Sequence, residues 1–199
     1  LEIGLAPTDI RSGDIRITSS LDSGTDTLPE LPRFGISIHI PGEFDKVEYL
    51  GRGPHENYCD RNDGAFIGLY NSTVDDLYFP YISPQENGTR TDIRWMSISN
   101  GSMGLLIEGH PCFSGSALRF TPEDLTQEKR GTRHSNELEP RDFVTLCIDL
   151  KQRGVGGDDS WGATPHSQYC LPVRNYAHTI SIRPFSETEV PHRPGRRNI

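Results

Sequence analysis

Apolar and polar residues alternate along several short segments of this chain. The alternation is clearest over residues 34–40 and 144–150, where phenylalanine, isoleucine, valine and leucine occupy every second position. Shorter versions of the same pattern lie at 15–17, 47–49 and 180–182. Because successive side chains of a β-strand point to opposite faces, a period of two predicts strands with one buried face.

Turn-forming residues separate these segments. They are Pro41-Gly42, Asn62-Asp63-Gly64, Asn87-Gly88, Asn100-Gly101 and Gly156-Gly157. Asn100-Gly101 joins two apolar stretches, 95–98 and 103–107, in the way that a tight hairpin does. Many short strands joined by polar turns predict an all-β, antiparallel sandwich.

One segment carries the signal for the start of a helix. Thr121-Pro122-Glu123-Asp124 offers a capping hydroxyl, a proline in the first turn and two acidic residues near the positive end of the helix dipole. A glycine follows at position 131. The pattern therefore predicts at most one short helix, near 122–129, beside the strands.

The chain of 199 residues has the length of one large domain or two small ones, and no internal repeat divides it. We expect a frayed N-terminal segment over 1–13, a β-sandwich domain over 14–185 and a mobile tail over 186–199. The tail contains two prolines and three arginines, which favours a mobile segment over a packed one. Only 33% of the residues are hydrophobic. This low fraction favours a domain that buries part of its surface against neighbouring domains.

The charge balance disfavours several classes of partner. The 20 basic residues stand against 28 acidic ones, for a net charge of −8, whereas a duplex-binding module normally has the opposite sign. We therefore expect no nucleic-acid partner. No apolar run approaches the roughly 20 residues that a membrane helix needs, so we also expect no membrane span. Seventeen of the basic residues are arginines, which favours structured ion pairs with carboxylates.

The four cysteines stand far apart, at Cys59, Cys112, Cys147 and Cys170, and no two are closer than 23 residues. A structural zinc site normally contains close pairs such as C-x-x-C, so we predict no metal site in this chain. We expect free, structural thiols, with a disulfide as the alternative.

The segment 154–161 is the strongest candidate for ligand contact. Its glycines permit a constrained loop, and they are followed by Asp158, Asp159 and Trp161. An indole held beside carboxylates is a common platform for sugars, because the ring stacks on C–H faces while the acids accept hydrogen bonds from hydroxyls. Core packing is the alternative for a lone tryptophan.

The two aspartates of this segment are adjacent in the chain. They cannot form the facing pair of carboxylates, about 5 to 10 Å apart, that glycoside hydrolysis needs. We expect one of them to cap a turn and the other to pair with an arginine, with substrate contact as a second role. No catalytic residue is predicted in this chain.

Several motifs follow one another in a fixed order from about residue 29 to residue 185. They are Leu31-Pro32-Arg33-Phe34-Gly35, Gly51-Arg52-Gly53-Pro54-His55-Glu56-Asn57-Tyr58, Asp60-Arg61, Tyr78, Pro80-Tyr81, Pro84-Gln85-Glu86-Asn87-Gly88, Arg90, Thr121-Pro122-Glu123-Asp124-Leu125 and Gly154-Val155-Gly156-Gly157-Asp158-Asp159-Ser160-Trp161-Gly162. In order and spacing the series resembles the C-terminal domain of the family 2 β-galactosidases, and it covers most of the chain.

The resemblance implies a β-supersandwich like that of the galactose mutarotases. It also implies a retaining enzyme that removes terminal β-galactose, with its acid/base and nucleophile glutamates and a magnesium ion in an upstream (β/α)8 barrel. Such a barrel usually needs about 250 residues, so it cannot lie within this chain. In the family the tryptophan of the Gly-Gly-Asp-Asp-Ser-Trp motif lines the aglycone side of the active site, and here it is Trp161. The implied partners are the barrel and other domains of the same polypeptide, the β-galactoside and further copies in a homo-oligomer.

The remaining motif residues are predicted to be structural. Arg33, Glu56, Asn57, Glu86, Asn87 and Arg90 carry the charged and amide groups that brace strand ends and loops by charge-assisted hydrogen bonds. A contact with another domain or with sugar is the alternative for these groups. Cys59 departs from the family pattern, which usually has proline after Glu-Asn-Tyr.

The resulting hypothesis is a non-catalytic domain that completes the substrate pocket of a β-galactosidase, so the isolated chain should be inactive. A free-standing carbohydrate-binding module is the alternative, and it would bind sugar by itself. An epimerase like the mutarotases would need a positioned acid/base pair, and neither His110 nor His166 has a partner at recognisable spacing.

Overall fold

The computed structural model describes residues 2–9, 13–24, 28–126, 134–159 and 161–186. Within these ranges the strands are β1 (Glu2–Asp9), β2 (Ile15–Asp22), β3 (Arg33–Pro41), β4 (Lys46–Gly53), β5 (Phe66–Thr73), β6 (Arg90–Ser99), β7 (Met103–Leu118), β8 (Phe143–Gln152) and β9 (Tyr176–Ser186). The helix α1 is Val74–Leu77, and two 3-10 turns span Ser135–Glu137 and Ser167–Tyr169. The prediction of an all-β chain is confirmed.

The segments with two-residue periodicity coincide with strands. β3 and β8 contain the two longest alternating runs, while β2, β4 and β9 contain the shorter ones. The predicted hairpin also forms: β6 ends at Ser99, β7 begins at Met103, and the Asn100 amide donates a hydrogen bond to the Met103 carbonyl at 3.1 Å.

All strand pairs are antiparallel, and β7 is the strand at which the sheet divides. The main order is β1-β2-β9-β7-β6-β4-β5. Residues 103–110 of β7 pair with β9, whereas residues 114–118 pair with β8, which in turn pairs with β3. One long strand therefore belongs to two branches of the sheet.

The two branches share one hydrophobic core. Its buried residues come from β3, β4, β6, β7, β8 and β9, and include Ile40, Tyr49, Phe113, Leu146 and Ile180. A smaller cluster around Trp95 and Leu106 packs separately. Because side chains from both branches meet in one core, the architecture is consistent with a β-sandwich.

Strand β8 differs from the pattern predicted for it. Its alternation predicts one exposed face, yet every residue from Val144 to Asp149 is buried. The polar face is covered from the far side, where Thr145 and Cys147 line a small cavity together with Glu86 and Leu125. A central strand that is covered on both sides has no solvent face, whatever its sequence period.

Among the described residues the helix lies at 74–77, and the described part of the predicted segment, residues 122–126, is not helical. The predicted capping chemistry does form, since the Thr121 hydroxyl accepts from the Asp124 amide at 3.2 Å. Residues 122–125 nevertheless form turns, because Asp124 pairs with Arg141 at 2.5 Å and Leu125 is buried in the core. These long-range contacts hold a turn where the local signal favours a helix, and residues 127–133 lie outside the described part of the chain.

Two segment predictions concern the ends of the domain. Glu2–Asp9 pairs with β2 along its whole length, so this part of the segment 1–13 is strand β1. At the other end β9 continues to Ser186, and the predicted mobile tail from 187 onwards lies outside the described residues. No helix in the described ranges is long and apolar enough to cross a membrane.

Candidate functional site

Trp161 lies on the loop that follows β8, and its side chain is 91% exposed. By contrast Trp95 is only 1% exposed, so the two tryptophans of the chain have opposite environments. Exposed indole rings of this kind are uncommon unless a partner covers them, since the ring normally contributes its large apolar surface to a core. Within the described part of the chain Trp161 does not pack into the core, and its contact with a ligand stays a prediction.

Asp159 sets the conformation of the backbone around Trp161. Its Oδ1 accepts hydrogen bonds from the Trp161 amide at 2.7 Å and from the Ala163 amide at 3.3 Å. An aspartate that accepts from an amide two residues further on forms a local turn. Asp159 thus fulfils the prediction of a turn-capping aspartate.

Among the described residues Asp158 pairs with a histidine and not with the predicted arginine. The His166 Nε2 lies 2.9 Å from one oxygen of the Asp158 carboxylate and 3.0 Å from the other, with both side chains largely exposed. His166 reaches this position because the chain folds back after the loop into the 3-10 turn Ser167–Tyr169. The pair closes the loop near its base, and contact of either aspartate with substrate stays a prediction.

The base of the loop is narrow because two glycines allow close backbone approach. The Gly154 amide donates to the Tyr169 carbonyl at 2.8 Å. A Cβ atom at Gly157 would lie 2.2 Å from the Ala163 carbonyl oxygen, so no other residue fits there without a backbone shift. The loop that carries Trp161, residues 153–166, is hereafter the tryptophan loop.

A cleft of about 780 Å³ lies between the tryptophan loop and the loops at the end of β4. On the loop side it is lined by residues 154–158 and 162–166, and on the opposite side by Tyr58, Arg61 and Tyr81. Aromatic rings and charged groups thus face each other across a space large enough for a small ligand.

Glu56 is the central carboxylate behind the wall opposite the tryptophan loop. It accepts from the Gly88 amide at 2.8 Å, from the Arg61 Nη2 at 2.7 Å and from the Tyr81 hydroxyl. Burial is the main cause of the raised pKa of Tyr81, and its hydrogen bond with Glu56 adds to the effect. These contacts occupy both carboxylate oxygens of Glu56.

Asn57 joins the same loop to β6. Its Oδ1 accepts from the amide and the hydroxyl of Thr91, at 3.1 and 2.6 Å. Its Nδ2 donates to the carbonyls of Arg52 and His55, at 3.2 and 3.0 Å. The side chain is 1% exposed, and all four bonds are made to neighbouring segments of the domain.

Asn87 and Arg90 fix the segment that follows α1. The Asn87 amide accepts from the Phe79 N–H at 2.9 Å and donates to the Phe79 carbonyl at 2.5 Å. Arg90, which is 5% exposed, donates to the carbonyls of Leu77 at 2.9 Å and Pro54 at 3.2 Å. Both side chains thus hold backbone groups of neighbouring segments by hydrogen bonds.

Arg33 and Asp149 form an ion pair between β3 and β8, in which the carboxylate is buried and the guanidinium partly exposed. Arg33 donates through Nη2 at 2.5 Å and through Nε at 3.1 Å, and Glu86 lies 3.6 Å from its Nη1. Burial raises the pKa of the Asp149 carboxyl, and the guanidinium opposes this by favouring the charged form. All six predicted structural residues thus contact other parts of the domain, and their assigned role stays a prediction.

Three residues around the cleft were not assigned a role from the sequence. Asp60 accepts from the Gly156 amide at 2.8 Å, Tyr81 contacts Glu56, and His166 pairs with Asp158. Asp60 and Tyr81 lie within the motifs, and their position there is the only sequence signal that indicates them as site residues. The partners of Asp60 and Tyr81 lie in other segments of the chain, which no local pattern indicates.

The described residues contain no group of three or more His, Cys, Asp or Glu side chains that could hold a metal ion. The four cysteines are free thiols. Burial raises the pKa of the Cys147 thiol, as for a structural side chain in a core.

Comparisons with known proteins agree with the motifs. The chain matches the family described as β-galactosidase small chain over residues 8–182. A β-galactosidase of Priestia megaterium is 40% identical over 175 residues, which cover 87% of this chain and 16% of that protein. A β-galactosidase of Vibrio cholerae is 42% identical over 156 residues, covering 78% of this chain and 14% of that protein.

A β-galactosidase of Streptococcus thermophilus is 33% identical over 177 residues, covering 87% of this chain and 17% of that protein. The chain thus spans about one sixth of the length of these relatives. The matched region includes the tryptophan loop, the ion pair of Arg33 with Asp149 and the loops around Glu56. The protein therefore belongs to the β-galactosidase small-chain family.

Proposed function

We propose that this chain is the C-terminal domain of a retaining β-galactosidase and completes its substrate pocket. The observation that carries the proposal is the indole of Trp161, 91% exposed on a loop closed by its own hydrogen bonds, in a chain of this family. In this proposal the ring stacks on the C–H face of the aglycone sugar, while the rest of the polypeptide binds the galactosyl group.

The carboxylates near the cleft favour a supporting role over a catalytic one. Retaining glycosidases place two carboxyl groups about 5 Å apart, across the bond to be broken. Glu56 is held by Arg61, Tyr81 and a backbone amide, and Asp159 accepts from the backbone of its own loop. We therefore assign proton transfer and nucleophilic attack to the proposed upstream barrel, together with its magnesium ion.

The isolated chain is expected to release no more nitrophenol from a chromogenic galactoside than buffer does. The reason is that its cleft carboxylates are engaged in structural contacts. Activity that persists through repurification and is lost on Glu56→Gln would contradict the proposal. Titration of the same chain with lactose distinguishes the proposed function from the alternative. A free-standing carbohydrate-binding module should bind lactose without other domains.

Replacing Trp161 by alanine in the full-length polypeptide should weaken the binding of lactose about 5- to 150-fold. Aromatic stacking is worth about 1–3 kcal/mol, by analogy with nucleobases, and each 1.4 kcal/mol is a factor of ten. The loss should fall on KM for lactose and on acceptor binding, since the chemistry lies elsewhere. Because the ring contacts solvent, the melting temperature should change little.

Phe66→Ala is the matched control, since this aromatic ring on β5 is 74% exposed and lies away from the cleft. It should leave the kinetic constants unchanged, whereas Trp161→Phe should retain part of the binding. If Trp161→Ala lowers the melting temperature sharply and leaves the kinetic constants unaltered, the proposed role of Trp161 is wrong.

A further inference from the structure

The segment 58–61 forms a tight turn that faces the tryptophan loop. The Tyr58 amide donates to the Arg61 carbonyl at 3.2 Å, and the Arg61 amide donates to the Tyr58 carbonyl at 2.8 Å. The ion pair of Arg61 with Glu56, 2.7 Å long, fixes one side of this turn. The geometry leaves the Asp60 side chain directed across the cleft.

Asp60 binds the tryptophan loop through its backbone. Its Oδ2 accepts from the Gly156 amide at 2.8 Å, although the two residues are 96 positions apart. A Cβ atom at Gly154 would lie 2.6 Å from the same oxygen, so glycine at this position is what lets the carboxylate approach. A charged acceptor makes such a bond stronger than a neutral one does.

The other acidic contacts in the described part of the loop are made within it or at its first residue, where Arg153 pairs with Glu30 at 3.2 Å. Asp159 binds amides two and four residues further along, and Asp158 binds His166 at the base. These bonds shape the loop but do not fix its direction relative to the sandwich. Asp60 lies in a separate segment, and its carboxylate fixes the direction of the loop by its hydrogen bond with the Gly156 amide. Gly156 is five residues before Trp161.

We propose that Asp60 is the positioning residue of the tryptophan loop, holding it at Gly156 so that the Trp161 indole meets the aglycone in one orientation. The inference rests on the proposed function, which it deepens by naming a residue that determines aglycone recognition through Trp161. Without this bond the contacts among the described residues hold the loop only at its base. The ring must then be ordered again each time that a ligand binds.

The first test is a double-mutant cycle in the full-length polypeptide with lactose as substrate. Asp60→Ala should raise KM about tenfold with little change in kcat, a factor that corresponds to about 1.4 kcal/mol. In the Trp161→Ala background the same substitution should change KM less than about twofold, because the residue acts through the ring. Asp60→Asn keeps an acceptor for the Gly156 amide and should restore most of the loss.

A second variant approaches the same bond from the loop. Gly154→Ala places a methyl group against the Asp60 carboxylate and should reproduce the effect of Asp60→Ala without adding to it in the double variant. Asp75→Ala is the control, because this carboxylate is 72% exposed in its pair with Arg119 and does not line the cleft. It should behave as the unmodified protein does.

A readout independent of activity is cleavage by chymotrypsin after Trp161, followed by mass spectrometry of the fragment that begins at Gly162. Loss of the anchor should speed this cut about tenfold in Asp60→Ala and in Gly154→Ala, since a loop held only at its base opens more readily. The cut should keep its original rate in Asp60→Asn and Asp75→Ala.

An equal rise in KM with and without Trp161, or an unchanged rate of cleavage, would overturn the assignment of Asp60. If Trp161→Ala leaves lactose kinetics unaltered, the proposed function fails while the cleavage rates still decide whether Asp60 anchors the loop. If Asp60→Ala does not fold, comparing Gly154→Ala with Asp60→Asn tests the same hydrogen bond.

Discussion

Replacing Arg33 by methionine should lower the free energy of unfolding by about 3–5 kcal/mol, the usual loss when one partner of a buried ion pair is removed. Asp149 is only 2% exposed and receives two hydrogen bonds from the guanidinium. Methionine fills similar space but leaves the carboxylate buried without a charged donor. Because the Arg33 side chain is itself 24% exposed, water can replace part of the lost interaction and the effect should lie near the lower limit.

Urea unfolding followed by circular dichroism measures this loss. Arg33→Met together with Asp149→Leu removes both charges and should recover most of the stability. Arg153→Met is the matched control, since Arg153 pairs with Glu30 at 3.2 Å in a more exposed position and should cost less than about 1 kcal/mol. A loss in the double variant as large as in Arg33→Met would show that the unpaired charge is not the cause.

The loss in Arg33→Met should depend on pH. Burial raises the pKa of Asp149, and without Arg33 nothing among its contacts favours the charged form. A carboxyl whose pKa is raised in the folded state holds its proton more tightly there, so folding is penalised once the unfolded chain releases that proton. The deficit should therefore be small below pH about 4, the ordinary pKa of aspartate, and grow as the pH rises above it.

Asn57→Ala should destabilise the domain by about 2–4 kcal/mol, because it removes four hydrogen bonds and leaves buried backbone groups without partners. The Thr91 amide and the carbonyls of Arg52 and His55 cannot all reach water at a position that is 1% exposed. Both thermal and urea unfolding should report the loss.

Asn71→Ala is the control for this prediction, because Asn71 lies exposed on the edge strand β5. Its substitution should change stability by less than about 0.5 kcal/mol. Asn57→Asp keeps the acceptor for Thr91 but directs a second acceptor at two carbonyls, so it should also be destabilised. If Asn57→Asp is as stable as the original chain, the hydrogen-bond network assigned to Asn57 is wrong.

The strands and the hairpin were predictable from the sequence because both depend on local properties. Two-residue periodicity reports which way each side chain points, and it located β3 and β8 correctly. The pair Asn100-Gly101 reports backbone conformations that few other residues adopt, and the hairpin formed there. The exposed loop of Trp161 was indicated by its glycines and aspartates together with the resemblance.

Only the tertiary structure determined which contacts these strands, turns and loops make with the rest of the domain. The polar face of β8 is buried, Thr121-Pro122 starts turns instead of a helix, and Asp158 binds His166 in place of an arginine. In the first two cases the deciding partner comes from another segment, and in the third it lies eight residues further along the same loop. Periodicity and capping signals extend over a few residues, whereas the bond of Asp60 with Gly156 joins positions 96 residues apart. Such contacts arise from the order in which strands pair, and that order is set by the packing of the whole core.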